Sequence, residues 1–169
     1  FVMGENVWRY ENEWPLKRTK WTKFYLDPAA RSLVTKPPQS AGTITYDGLG
    51  DGVTFSSAPL DKATEITGPS ALKLWVSSAT TDADIFAVLR VFDPKGKEVV
   101  FQGALDPHTP IGQGWLRASN RKLDKKLSTP YRPYHSHDKR EPLKKGEVAE
   151  LDVEIWPTSI VVPAGHRIA

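Results

Sequence analysis

A chain of 169 residues is long enough to bury a sizeable core without covalent staples. It has no cysteine, which excludes a disulfide framework and a thiolate metal site, and no apolar run approaches the roughly 18 residues of a membrane-spanning helix. The net charge of +3 is unevenly placed: residues 117–145 hold ten Lys/Arg against three Asp/Glu, so the remainder of the chain is acidic.

In chain order, short strands are predicted at 1–4, 6–10 and 21–26. Lys36 to Gly52, rich in Pro, Gly and Ser, reads as a long inter-strand loop, because strand patterns on each side of it need partners. Another short strand is predicted at 53–56. Ala71 to Ser78 then alternates, with Leu72, Leu74 and Val76 on one face and Lys73, Trp75 and Ser77 on the other. Asp84 to Phe92 is apolar on both faces, broken mainly by Arg90, and predicts a central strand covered on each side. Asp93-Pro94-Lys95-Gly96 supplies turn chemistry and Glu98 to Leu105 returns, so 84–105 read as a hairpin.

A strand at 115–118 leads into a second long excursion, 119–146. Loops of that length in a compact domain are usually functional or disordered. Its positive charge would suit nucleic acid only if set on a recognition helix or interleaved with exposed aromatics. It carries instead Pro130, Pro133 and Pro142 and no helical period, and reads as a solvated loop that wraps a neighbouring domain. Glu150 to Trp156 is the cleanest alternation: Leu151, Val153 and Ile155 point inward, and Glu150, Asp152 and Glu154 outward. That acidic face discourages edge-to-edge association. A last strand is predicted at 159–162. The chain opens on Phe1 and closes on Arg167-Ile168-Ala169 within what reads as an unfinished strand, so the expectation is a piece of a longer protein that lacks its last strand or strands. Fourteen prolines, twelve glycines and no amphipathic helix window make 1–169 one all-β domain, a β-sandwich.

Candidate chemistry is sparse. Gly68-Pro69-Ser70-Ala71-Leu72 lacks the second glycine of a nucleophile elbow, and the residues after it alternate as a strand, so Ser70 reads as a turn serine. His166 stands where a hydrolase triad places its histidine, yet a general base needs a nucleophile within reach and none is offered; it reads as a residue orienting a strand start or packing at a domain boundary. His135 and His137 could share one side of an extended segment and combine with the Asp138 carboxylate, but a metal would need a further ligand from His108 or an acid, and the surrounding charge is positive. Gly48, Gly50 and Gly52 have no following helix and no Lys for a phosphate cradle. No cofactor is expected. Six tryptophans raise a carbohydrate-binding reading through Trp75, Trp115 and Trp156, against a packing role in the core or at a domain contact.

An ordered set of segments carries a resemblance. Val2-Met3-Gly4 with Trp8-Arg9 and Trp14-Pro15 is followed by Tyr25-Leu26 and Ser32-Leu33. Ile66-Thr67-Gly68-Pro69 and Thr81-Asp82-Ala83-Asp84-Ile85 come next, then Gly114-Trp115-Leu116-Arg117-Ala118-Ser119 with Arg121. Pro142-Leu143, Gly146-Glu147, Trp156-Pro157-Thr158-Ser159 and Gly165-His166-Arg167-Ile168 close the set. Over essentially its whole length the chain resembles the carboxy-terminal domain of the X-prolyl dipeptidyl peptidase and cocaine-esterase-like serine hydrolases. The resemblance implies a jelly-roll sandwich, similar to galactose-binding domains. It also implies a partner, the α/β-hydrolase catalytic domain of the same polypeptide, which bears the triad and cleaves esters, amides or X-Pro peptides. No triad position falls in this chain. A role in buttressing the catalytic domain and walling its substrate entrance follows, with a homodimer contact as a further partner and neither nucleic acid nor membrane among them. The surface residues expected to serve domain contact or binding are Trp75, Trp115, Arg117, Arg121, His135, His137, Trp156 and His166, and the basic excursion from Arg117 to Lys145 is the expected face toward the catalytic domain.

Overall fold

A computed structural model describes residues 1–169, and they form an all-β arrangement whose sole helical turn is Ala118–Asn120. Three short strands, β1 (Tyr25–Asp27), β2 (Ser32–Val34) and β3 (Ser56–Ser57), make a small sheet. Six more follow: β4 (Thr64–Val76), β5 (Asp84–Leu89), β6 (Val91–Phe92), β7 (Gly112–Arg117), β8 (Ala149–Val162) and β9 (Arg167–Ile168). All of them pair antiparallel, β4 with β8, β5 with β7 and β6 with β9.

The long ladder between β4 and β8 organises the molecule. The predicted strands at Glu150–Trp156 and 159–162 are one continuous strand, and the predicted strand from Ala71 begins seven residues earlier, at Thr64. Leu151, Val153 and Ile155 are buried at odd positions of β8, whereas Thr158, Ile160 and Val162 are buried at even ones. The change of parity has a visible cause. Gly68 faces Thr158 and Ser70 faces Ile155, so one residue of β4, Pro69, opposes two of β8, Trp156 and Pro157. Neither proline can donate to the ladder, and an extra residue is how an antiparallel pair absorbs such a break. The bulge lets a single strand serve two cores. Leu151, Val153 and Ile155 pack with Ala87, Leu116, Ala118 and Leu143. Ile160 and Val162 pack with Val91 and Ile111.

The β5–β7 pair lies against β8 at very short range. Gly112, Gly114 and Leu116 face inward, and Gln113, Trp115 and Arg117 outward. A Cβ on Gly114 would sit 1.7 Å from the Glu154 carbonyl oxygen, so only glycine permits this approach.

Several sequence readings need correction. Residues 1–4 and 6–10 form no full strands; Val2 bridges Val7 across a tight turn, and Met3 joins β8 in parallel by exchanging hydrogen bonds with Ser159 and Val161. The strand predicted over 21–26 is confined to β1. The hairpin over 84–105 exists only at its tip, where Phe92 bridges Glu98 and Val99 N–H donates to Val91 C=O. Beyond it β5 takes β7 as its partner, because the returning arm turns away again, Phe101 bridging Thr109. Ser70 is no turn residue but lies inside β4, next to the bulge. The β5 strand is covered on one face only: Ala87 is buried, while Phe86 is 74% exposed and Val88 is also open.

Candidate functional site: an open aromatic face and a braced basic loop

Two surfaces stand out. The first is the outer face of β5–β7. Phe86 and Trp115 are directly opposed cross-strand partners on it, and Val88 follows two residues along. The Trp115 and Trp156 rings lie 5.0 Å apart at 50°, and Phe86 faces Trp115 across the ladder, so the three aromatics share this face, each more than half exposed. Arg117 closes one end of the group. Its guanidinium forks onto Asp84, Nε to Oδ1 at 2.8 Å and Nη2 to Oδ2 at 2.9 Å. Those bonds hold the Asp84 carboxyl below its usual range and push the Arg117 guanidinium up. Each charge of the pair is thereby occupied by the other.

The second surface is the excursion over 119–146, an ordered structure with a laced neck. Ala118 N–H donates to Ala83 C=O and Ser119 N–H to Asp82 Oδ1, while on the return Glu141 N–H reaches Ser119 C=O and Leu143 N–H reaches Thr81 C=O. Arg121 clips the two sides of the neck together, bonding the carbonyls of Ala118 and Glu141, and Leu143 is buried in the main core. Further out, Asp124 N–H donates to Tyr134 C=O and Ser136 N–H to Lys122 C=O, which makes a hairpin-like finger. Tyr131 near its tip stacks on Trp21 of the amino-terminal segment, centroids 3.6 Å apart and planes within 3°. Trp21 in turn lies over Gly68, where a larger residue would fill the space.

Charge on this loop divides into two groups. Arg117, Arg121, Lys122, Lys139 and Lys144 pair with Asp84, Glu141, Asp138, Glu141 and Glu147. Lys125, Lys126, Arg132, Arg140 and Lys145 pair with no carboxylate, and the first three cluster at the tip.

The remaining expected residues lie elsewhere. Trp75 is exposed on the outer face of β4–β8 with Lys73 Nζ 6.0 Å from its ring, and Lys73 itself bridges Glu150 and Asp152. His135 and His137 approach to 6.2 Å between ring centroids, and no third His or carboxylate completes a metal-binding group with them. Burial pushes the His135 imidazole pKa down, opposed by the backbone of Asp152, and its Nε2 has no hydrogen-bond partner. His166 sits in the turn before β9, its carbonyl accepting from Leu60 N–H and its Nδ1 3.4 Å from the Ala164 carbonyl. The structure thus brings together Trp115, Trp156 and Arg117, and separately His135 and His137. Sequence reasoning missed Phe86 and Val88 as surface residues. The signal was present, since β5 is apolar on both faces, but it was read as two-sided burial. It also missed an ionic network, Arg9 forking onto Glu65 at 3.1 and 2.5 Å and Arg18 onto Glu11, which ties residues 9–18 to β4. Hydrogen bonds from Arg18, with the nearby guanidinium charges, pull the Glu11 carboxyl down to about 2.

The structure is thus an all-β module with exposed aromatic and cationic surfaces, and its class is that of a non-catalytic domain. The chain belongs to the X-Pro dipeptidyl-peptidase C-terminal non-catalytic domain family, whose model matches residues 1–169. It is similar to a Mycobacterium bovis protein named as a candidate serine esterase, with 31% identity over 99% of this chain and 30% of that protein. The cocaine esterase of a Rhodococcus species is 26% identical over 99% of this chain and 32% of its own length. Among solved structures, a CocE/NonD family hydrolase from Staphylococcus aureus superposes with a TM-score of 0.91 at 30% identity, covering 95% of this chain and 30% of that one. The chain therefore spans about 30% of the length of the relatives it matches.

Proposed function

We infer that this domain buttresses an α/β-hydrolase catalytic domain in the same polypeptide and forms part of the wall around its substrate entrance. The whole enzyme would hydrolyse ester, amide or X-Pro peptide bonds through a serine nucleophile outside these residues. One observation carries the reading: the 119–146 excursion is a finger braced at its neck by Arg121 and Leu143 and near its tip by the Trp21–Tyr131 stack, with unpaired Lys125, Lys126 and Arg132 at the end. A rigid projecting loop can shape a cleft, where a disordered one could not. The jelly-roll description, similar to galactose-binding domains, is part of the same proposal and is supported by the antiparallel pairing of the six long-range strands.

The test uses the intact hydrolase with residues 122–136 replaced by a short turn. Serine-probe labelling should persist, while kcat/KM should change more for bulky substrates than for p-nitrophenyl acetate. Equal effects on both substrates would count against a role at the entrance.

The rival is a free-standing carbohydrate-binding module using Trp75 or Trp156, both over half exposed. It requires polysaccharide affinity that Trp75→Ala or Trp156→Ala abolishes, and a silent glycan array removes it.

A further inference from the structure

The outer face of β5–β7 is written for burial that this domain does not itself provide. Phe86 and Val88 stand out from β5, and Trp115 stands opposite Phe86 on β7 with Trp156 packed beside it. Three aromatic side chains of about 150–250 Å² each, more than half exposed, leave roughly 300–400 Å² of apolar surface in one strip. The largest apolar patch on a soluble domain is of about this size and is often functional.

We propose that this strip is the docking face for the hydrolase domain of the same polypeptide, which meets it with an apolar surface of its own. The proposal rests on the reading of the chain as an accessory domain and adds which face is covered and by what chemistry. Three observations choose this occupant. A stable dimer between free molecules needs about 800 Å² on each partner, at least twice what the strip offers. A tethered domain faces no such threshold, because its effective concentration is already in the millimolar range. The relatives that match this chain are about three times its length, so most of such a polypeptide lies outside these residues. A sugar fits the strip poorly. The Trp115 and Trp156 planes are tilted by 50° and offer no flat platform, and the neighbouring polar groups, Arg117 and Asp84, are bonded to each other.

Hydroxyl-radical labelling of the intact hydrolase polypeptide tests the proposal, with the urea-unfolded chain as reference. Phe86, Trp115 and Trp156 should be protected several-fold more than their partial exposure here provides, and dilution should leave that protection unchanged. In Phe86→Ser, and independently in Val88→Ser, Trp115 should regain labelling while the far-UV circular dichroism stays native. Labelling of Trp115 and Trp156 in line with their exposure in this structure would overturn the proposal. Protection lost on dilution would overturn it in favour of a second copy, and protection gained only with added oligosaccharide in favour of a sugar. The readout is independent of turnover, so it fails or succeeds separately from the assignment of catalysis to another domain.

Discussion

Gly114 sets how closely the two main strand pairs can approach. A methyl group there would meet the Glu154 backbone at 1.7 Å, and backbone cannot swing aside as a side-chain tip can. Gly114→Ala should therefore cost about 3 kcal/mol or more, read as a lower urea midpoint. Gly48→Ala, with nothing within 4 Å of the new atom, should stay within about 0.5 kcal/mol. Asp82 illustrates a second residue-scale effect. Burial raises its pKa, but hydrogen bonds from Ser119 and Ala83 outweigh that and the net shift is downward. A carboxyl depressed in the folded state contributes stability that is fully present above the unfolded value of about 3.9 and is lost as pH falls through the folded value. Urea melts from pH 7 to pH 2 should show that acid-side loss. Asp82→Asn should remove its share of that loss, leaving the shares of the other depressed carboxyls such as Glu11 and Asp138, and should also loosen the neck of the excursion.

At the scale of elements, the amino-terminal segment and the basic finger hold each other. The Trp21–Tyr131 stack contributes about 1 kcal/mol beyond its buried area. Tyr131→Ala should then raise trypsin cleavage at Lys125 and Lys126 by roughly five-fold through more frequent local opening; an unchanged cutting rate would mean that the neck alone holds the finger. This is also the scale at which the sequence was most and least legible. The alternation of Leu151, Val153 and Ile155 revealed β8, because a strand with one buried face writes period two into its residues. The bulge was hidden in Trp156-Pro157, where the parity changes without any turn residue to mark it. The 84–105 hairpin was half right for a related reason. Turn chemistry at Asp93–Gly96 is local and visible, whereas the choice of β7 as the partner of β5 depends on residues about 30 positions away.

For the whole molecule, the all-β class could be read from composition and punctuation, and family membership from an ordered set of short segments spread along the chain. The surface was less legible. Trp115, Trp156 and Arg117, expected at the surface, lie on one exposed face, whereas the two-sided apolar pattern of β5 predicts burial for Phe86 and Val88, because a sequence does not state which of two apolar faces the fold covers. The same limit explains the excursion, whose bracing depends on Trp21, more than a hundred residues from Tyr131. Together these features describe a domain of a non-catalytic C-terminal family with an exposed aromatic face and a braced basic finger, both of them proposed here to contact a catalytic domain. The most direct check is to incubate residues 1–169 alone with p-nitrophenyl acetate and with a serine-directed fluorophosphonate. The account predicts no hydrolysis above buffer and no labelled protein, even at high concentration. Turnover together with a covalently labelled serine would contradict it.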